Sequence, residues 1–260
     1  MGRSFVWNKV KYPNWTGLKL SGILYAGPAE GTIVVVCHGF TGSKEGGGRA
    51  VAMAEELGSR GYATLLFDFS GCGDSEGDFA DVCLTRHIGD VKCSVDFCRG
   101  LGFNRVVTVG RSFGGTAAIG LGRAGGDVAG VCTWSAPGAL REVFTRLRVQ
   151  AAGEDSDMIR LSEEEDALRI KKSFITDLDR YDIFSRAALI APSPLLVIHG
   201  SNDQVVPVDN AWSIYKAAGD PKKIQIIPEA DHQFTGSHLK VWEVFFEWLA
   251  EHFPTNMNCS

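Results

Sequence analysis

No stretch of this 260-residue chain approaches the roughly 20 consecutive apolar residues of a membrane-spanning helix, so no membrane association is expected. The first eleven residues, Met1 to Lys11, mix polar and aromatic side chains and lack the apolar core of a secretion signal. Val6 stands where an N-myristoylation signal needs Ser or Thr. The expected location is therefore the cytoplasm. Basic charge is not in excess either: 26 Lys and Arg stand against 31 Asp and Glu, a net charge of −5. Such a chain has no basic face with which to neutralise phosphates, and nucleic acid is not an expected partner. The seven cysteines are odd in number and irregular in spacing, which argues against a disulfide framework. Cys37 and Cys132 lie in apolar runs and read as small core residues. Cys83 and His87 are four apart, as on one helix face, but no further pair completes a metal site, and no metal is expected. Internal repeats and low-complexity linkers are missing as well.

What is present is a 45% hydrophobic chain, which fits one large α/β domain better than two small ones. Two early segments, Phe5 to Val10 and Leu18 to Tyr25, alternate apolar and polar residues and read as an antiparallel start. Later runs are continuously apolar: Thr32 to Cys37, Ala63 to Phe67, Arg105 to Val109, Val128 to Trp134, Pro194 to Ile198 and Lys222 to Ile227. Continuous β-branched runs suit strands buried on both faces of a parallel sheet. Helical stretches alternate with them at Gly48 to Arg60, His87 to Arg99, Trp212 to Ala218 and Leu239 to His252. The segment from Pro137 to Ile190 breaks the rhythm and shows no obvious buried strand. Met158 to Leu161 and Ala167 to Ile170 pair as a hairpin around the acidic tip Ser162 to Asp166 in the preferred reading. The alternative is a helix from Ser162, with Glu165 completing a capping box. An insertion this long near a sheet end is a candidate lid.

Gly110-Arg111-Ser112-Phe113-Gly114 matches the G-x-S-x-G pattern of a nucleophile elbow. A serine projecting from a tight strand-to-helix turn needs small residues two before and two after it. The apolar Val106 to Val109 before it and the small-residue run Gly115 to Leu121 after it supply the strand and the helix. The same pattern recurs at Gly73-Asp74-Ser75-Glu76-Gly77, but there it follows no strand end, and two charges flank the serine. Ser112 is therefore the expected nucleophile.

A serine hydroxyl needs a base within hydrogen-bond reach. His232 lies in Glu229-Ala230-Asp231-His232-Gln233-Phe234, between the last strand and the last helix. That loop belongs to the carboxyl end of the sheet, where a doubly wound sheet assembles its site. An acceptor must hold the imidazole in one tautomer. Asp203, just after the penultimate strand, completes the chain order Ser, Asp, His. Asp209 falls on the next helix, and Asp231 adjoins the histidine itself. The oxyanion of a tetrahedral intermediate needs two N–H donors. Phe113, after the nucleophile, and Phe40, in the loop His38-Gly39-Phe40-Thr41-Gly42-Ser43-Lys44, are the candidates, with Gly39 letting the backbone turn inward. His38 reads as a brace for that loop.

Together these residues resemble the α/β-hydrolase family over essentially the whole chain. Asp68-Phe69-Ser70-Gly71-Cys72-Gly73-Asp74-Ser75 also looks like that family's glycine-rich loop after the second parallel strand, which makes Ser75 part of a structural turn. The family usually has arginine where Ser70 stands and often histidine where Cys72 stands, a departure that touches the bracing of this loop rather than the triad. The resemblance implies an α/β-hydrolase fold: a mostly parallel, eight-stranded twisted sheet with helices on both faces. Residues 1–136 and 191–260 would form its core, and 137–190 an inserted lid. The His38 to Lys44 loop looks most like bacterial carboxylesterases of the cinnamoyl and feruloyl esterase type, with Gly39, Asp157 and Tyr181 as substrate-binding candidates. The implied activity is hydrolysis of a small-molecule ester with a small to medium acyl group, aryl groups included, through an acyl-enzyme, without cofactor. The same triad serves thioesters, amides and carbon–carbon bonds. A non-catalytic binding protein on this fold is the third reading, and a homodimer is left open.

Overall fold

The computed structural model describes residues 5–27, 31–122, 128–146, 157–161 and 168–255. An antiparallel pair, β1 (Val6–Pro13) and β2 (Lys19–Ala26), opens the chain. Then follow β3 (Thr32–Cys37), α1 (Arg49–Ser59), β4 (Ala63–Phe67), α2 (Leu84–Gly100), β5 (Arg105–Arg111), α3 (Phe113–Leu121) and β6 (Gly130–Trp134). The central insertion contains α4 (Leu140–Arg146), the short strands β7 (Met158–Arg160) and β8 (Arg169–Lys171), α5 (Ser173–Leu178) and α6 (Ile183–Ala188). The chain ends with β9 (Leu195–Gly200), α7 (Asp209–Ala217), β10 (Lys222–Ile227) and α8 (His238–His252).

Eight strands make one sheet in the order β1-β2-β4-β3-β5-β6-β9-β10. Both pairings of β2 are antiparallel, and the rest are parallel. Most of the strands that read as continuous apolar runs are inner ones; the exception is Lys222–Ile227, β10, which forms the other edge of the sheet and is only partly buried. Every residue of β4, β6 and β9 is buried, because helices cover both faces. The edge strand β1 is mostly exposed and carries the alternation instead.

Two apolar layers result. Val34, Val107, Val109 and Ile198 face α1 and α8, and α8 turns Val241, Trp242, Phe245, Trp248 and Leu249 onto them. Burying each such side chain contributes about 1.5–3 kcal/mol, which helix propensity alone could not match. On the other face Ile33, Val35, Val106 and Val131 pack with residues of α2 and α3 and with Leu140, Phe144, Phe174 and Ile183 of the insertion.

β6 pairs directly with β9, so residues 137–190 leave and rejoin the sheet between neighbouring strands. The hairpin reading describes this segment better than the helix: Ile159 pairs with Ile170 and Arg160 with Arg169. Both isoleucines are buried, which anchors the register. The acidic tip, Ser162 to Asp166, lies outside the described residues. Among the described residues the insertion has three short helices that are not legible in the sequence, since each has seven or fewer residues and too little periodicity. Among the described residues no helix is long and apolar enough to cross a membrane.

Candidate active site

Successive strands are laid down to either side of β3: β4 on one flank and β5 on the other. A switch of this kind opens a crevice at the carboxyl ends of the strands. Cys37, the last residue of β3, pairs with Gly110 of β5, and Arg111 pairs with Trp134 at the end of β6. The loop His38 to Lys44 and Ser112 therefore leave the sheet side by side.

Ser112 has φ 51° and ψ −125°, a left-handed backbone that a serine adopts only under constraint. Its N–H donates to the Trp134 carbonyl at 2.8 Å, and its own carbonyl accepts from Thr116 in the first turn of α3. The two flanking glycines explain the rest of the pattern. A Cβ on Gly110 would strike the backbone of Gly114, and one on Gly114 would strike the carbonyl oxygens of Cys37 and His38. The elbow closes only because neither atom is there, and its closure brings α3 against the end of β3.

The hydroxyl meets a partner on each side of an imidazole. His232 Nε2 lies 3.1 Å from Ser112 Oγ, and His232 Nδ1 lies 2.8 Å from Asp203 Oδ2. Asp203 has a fully buried side chain. Its Oδ1 accepts from the N–H groups of Val205 and Val206 at 2.9 and 2.8 Å. Its Oδ2 also lies 3.2 Å from Nε2 of His199, whose N–H reaches the Val206 carbonyl at 2.8 Å as well. Burial alone would raise the carboxyl's pKa. The hydrogen bonds from His199, His232 and Val206 outweigh it and hold Asp203 well below the usual carboxylate range. An ionised carboxylate only accepts, so Nδ1 of His232 carries the proton and Nε2 offers its lone pair to the serine.

The flanking loops are fixed by their own bonds. His38 donates from Nδ1 to the Gly39 carbonyl (2.7 Å) and accepts the Phe69 N–H at Nε2 (3.1 Å). Burial lowers its pKa and favours this neutral form. Gly39 is buried beside Arg111, whose guanidinium a Cβ would approach to 3.1 Å. The Phe40 ring lies 5.4 Å from that of Phe113, in a cluster with Phe144 and Phe174 from the insertion. Phe113 opens α3, where the first N–H groups have no intrahelical acceptor.

Ser75 is engaged elsewhere: its hydroxyl donates to the Asp68 carbonyl (2.6 Å) and accepts the Ser21 N–H (2.8 Å). The loop it belongs to is braced without an arginine or histidine at positions 70 and 72. Asp90 accepts both the N–H and the hydroxyl of Ser70, and Lys44 joins Asp68 to Asp74 at 2.6 and 2.7 Å.

Asp157 and Tyr181 are not brought to the serine. Asp157 is exposed, and its carbonyl accepts the Lys172 N–H beside the hairpin. The Tyr181 hydroxyl lies 2.8 Å from Thr85 Oγ1 on α2, held there because Thr85 also donates to Asp177 of α5. Both are candidates only through the resemblance to enzymes with an inserted lid, and their described contacts are within the insertion and with α2. Cys83 and His87 do not converge on a shared ligand: the buried His87 ring stacks on Phe69 at 3.9 Å. Among the described residues no three metal-ligating side chains cluster. His199 is the residue sequence reading missed. It showed only as a histidine after a strand, and its spacing of four from Asp203 gains meaning once β9 turns.

Known proteins share this architecture. Est1E from Butyrivibrio proteoclasticus, solved with ferulic acid bound, superposes with a TM-score of 0.82 at 22% identity, over 94% of this chain and 98% of that one. The esterase domain of a Rhodothermus marinus protein gives 0.72 at 25% identity, over 95% and 99%. In sequence, the mitochondrial palmitoyl-protein thioesterase ABHD10 of Mus musculus is 28% identical over 201 residues, 74% of this chain and 66% of its own length. The profile of the alpha/beta hydrolase family matches residues 34–248, most of the chain, including the elbow, the acid and the histidine. An enzyme fold with its strand ends converging on one strained serine is thus accounted for by descent as well as by geometry: the chain belongs to the alpha/beta hydrolase family.

Proposed function

We propose that this chain is a serine carboxylic ester hydrolase that works through an acyl-enzyme. The observation that carries the reading is the unbroken row Asp203 Oδ2, His232 Nδ1, His232 Nε2, Ser112 Oγ, with steps of 2.8 and 3.1 Å. In this mechanism His232 takes the Ser112 proton as the oxygen attacks the ester carbonyl, and Asp203 stabilises the resulting imidazolium. The N–H groups of Phe113 and Phe40 receive the oxyanion. His232 then protonates the leaving alcohol, and water repeats the sequence to release the acid. The insertion 137–190 acts as the lid. Its Phe144 and Phe174 pack with Phe40 and Phe113 in one aromatic cluster beside the elbow, and the expected substrates carry small to medium or aryl acyl groups.

The likeness to a palmitoyl-protein thioesterase favours one second reading, in which the same serine attacks a thioester. A panel of p-nitrophenyl acetate, p-nitrophenyl palmitate, methyl ferulate and palmitoyl-CoA separates the two. The proposal expects highest kcat/KM on the acetate or ferulate and labelling of Ser112 by a fluorophosphonate. Preference for palmitoyl-CoA would transfer the protein to the thioesterase reading, and no labelling would sink both.

A further inference from the structure

A cavity of about 440 Å³ opens on the α1 and α8 face of the sheet, opposite the aromatic cluster of Phe40 and Phe113. Its floor is apolar, formed by Met53, Val109, Phe234, Val241 and Trp242. Its rim is cationic: Arg49 from the first turn of α1 and Arg111 from the end of β5. Lys44 also borders it, but its ammonium is held by Asp68, Asp74 and Glu45. The two arginines are different. Arg111 donates to the side-chain oxygen of Gln233 at 2.5 Å, and Arg49 donates to the Gln233 backbone carbonyl at 3.3 Å. Among the described residues neither has a carboxylate partner. Burial first and then the charge of Arg49 lower the pKa of the half-buried Arg111, with the Asp203 carboxylate acting in the opposite direction. A third polar atom waits nearby: Nδ1 of His238, on the cavity wall, is buried and has no hydrogen-bond partner among the described residues.

Arg49 and Arg111 both reach Gln233 beside an apolar cavity, where an anion would gain charge-assisted hydrogen bonds from the two of them. The cavity volume lies in the range of small-ligand sites, and arginine is the side chain best shaped to hold a carboxylate. We infer that this cavity is a second ligand site, which binds a small amphipathic carboxylate with its apolar body on Met53, Val241 and Trp242 and its head between Arg49 and Arg111. None of Ser112, Asp203 and His232 lines it. It nonetheless touches the residues next in sequence to the nucleophile and the base, so occupancy would be felt at Arg111 and Gln233. The ligand is either a free acid from the medium or the acid that the enzyme itself releases.

Calorimetric titration with octanoate tests this without relying on turnover. Ser112→Ala protein and wild type blocked at Ser112 by a phosphonate should each bind one octanoate with the affinity of untreated wild type. Arg49→Met, at an exposed position where folding is not at stake, should weaken binding by about tenfold or more, as loss of a charge-assisted hydrogen bond predicts. Octan-1-ol, which lacks the charge, should bind more weakly and ignore that substitution. If the phosphonate abolishes binding, the acid occupies only the site over Ser112 as a product would, and the inference is wrong. It is equally wrong if Arg49→Met leaves octanoate affinity unchanged or if wild type binds none.

Discussion

Replacing Asp203 by asparagine changes one atom and tests the whole arrangement. The carboxylate accepts from four groups: Val205 and Val206 N–H on Oδ1, and the His232 and His199 rings on Oδ2. An asparagine oxygen would keep the two backbone donors, which turns its NH₂ toward both histidines. That NH₂ can only donate. It would bind His232 through Nδ1 and force the proton to Nε2, leaving no lone pair for Ser112. It would also face the His199 N–H donor to donor. That ring could escape only by moving its proton to Nδ1, which would forfeit the Val206 carbonyl. Turnover of p-nitrophenyl acetate should fall by about 10⁴, or about 5.5 kcal/mol in the barrier. The mismatch at His199 should lower unfolding stability by about 1–3 kcal/mol. Stopped-flow release of p-nitrophenolate measures the first and urea denaturation the second. Near-normal kcat in a folded Asp203→Asn protein would refute the assignment of acid and tautomer together.

Ser112→Ala should abolish turnover and fluorophosphonate labelling while the protein stays folded; labelling lost in Ser75→Ala instead would move the nucleophile. Ser75→Ala should keep kcat but cost about 1–3 kcal/mol in denaturant titration, because the Ser21 N–H loses its acceptor. Gly114→Ala drives a methyl into the carbonyls of Cys37 and His38, so it should cost about 1–3 kcal/mol and depress turnover; an unchanged crystal structure and rate would disprove the close approach. Asp203 is held below the ordinary aspartate value, so its share of stability is fully present above the unfolded pKa of about 3.9 and is lost as pH falls through the lower folded value. The stability gap between wild type and Asp203→Asn should accordingly narrow on acidification below about pH 4; a gap constant down to pH 2 would contradict the linkage.

The sequence by itself determined the elements that repeat locally. Buried strands announce themselves as unbroken apolar runs such as Ala63 to Phe67, and helix α8 shows its apolar stripe through Val241, Phe245, Trp248 and Leu249. The G-x-S-x-G spacing of Gly110 and Gly114 marks the elbow; the clash at Gly110 is with Gly114 and so is local, whereas that at Gly114 is with Cys37 and His38 and belongs to the tertiary structure. Ser112, Asp203 and His232 were readable as strand-end residues in a workable chain order. What only the tertiary structure decided is everything that depends on atoms far apart in the chain. His199 belongs with Asp203 because β9 turns back at Gly200, and Ser75 is occupied because β2 brings Ser21 to it. The Tyr181 hydroxyl meets Thr85 because the insertion packs on α2 through Thr85 and Asp177, contacts that no spacing encodes. Arg49 and Arg111, 62 positions apart in sequence, border one cavity only because α1 packs on the same face of the sheet as the side chains of β5. Periodicity reports which face of an element is buried; it carries no information about what that face meets.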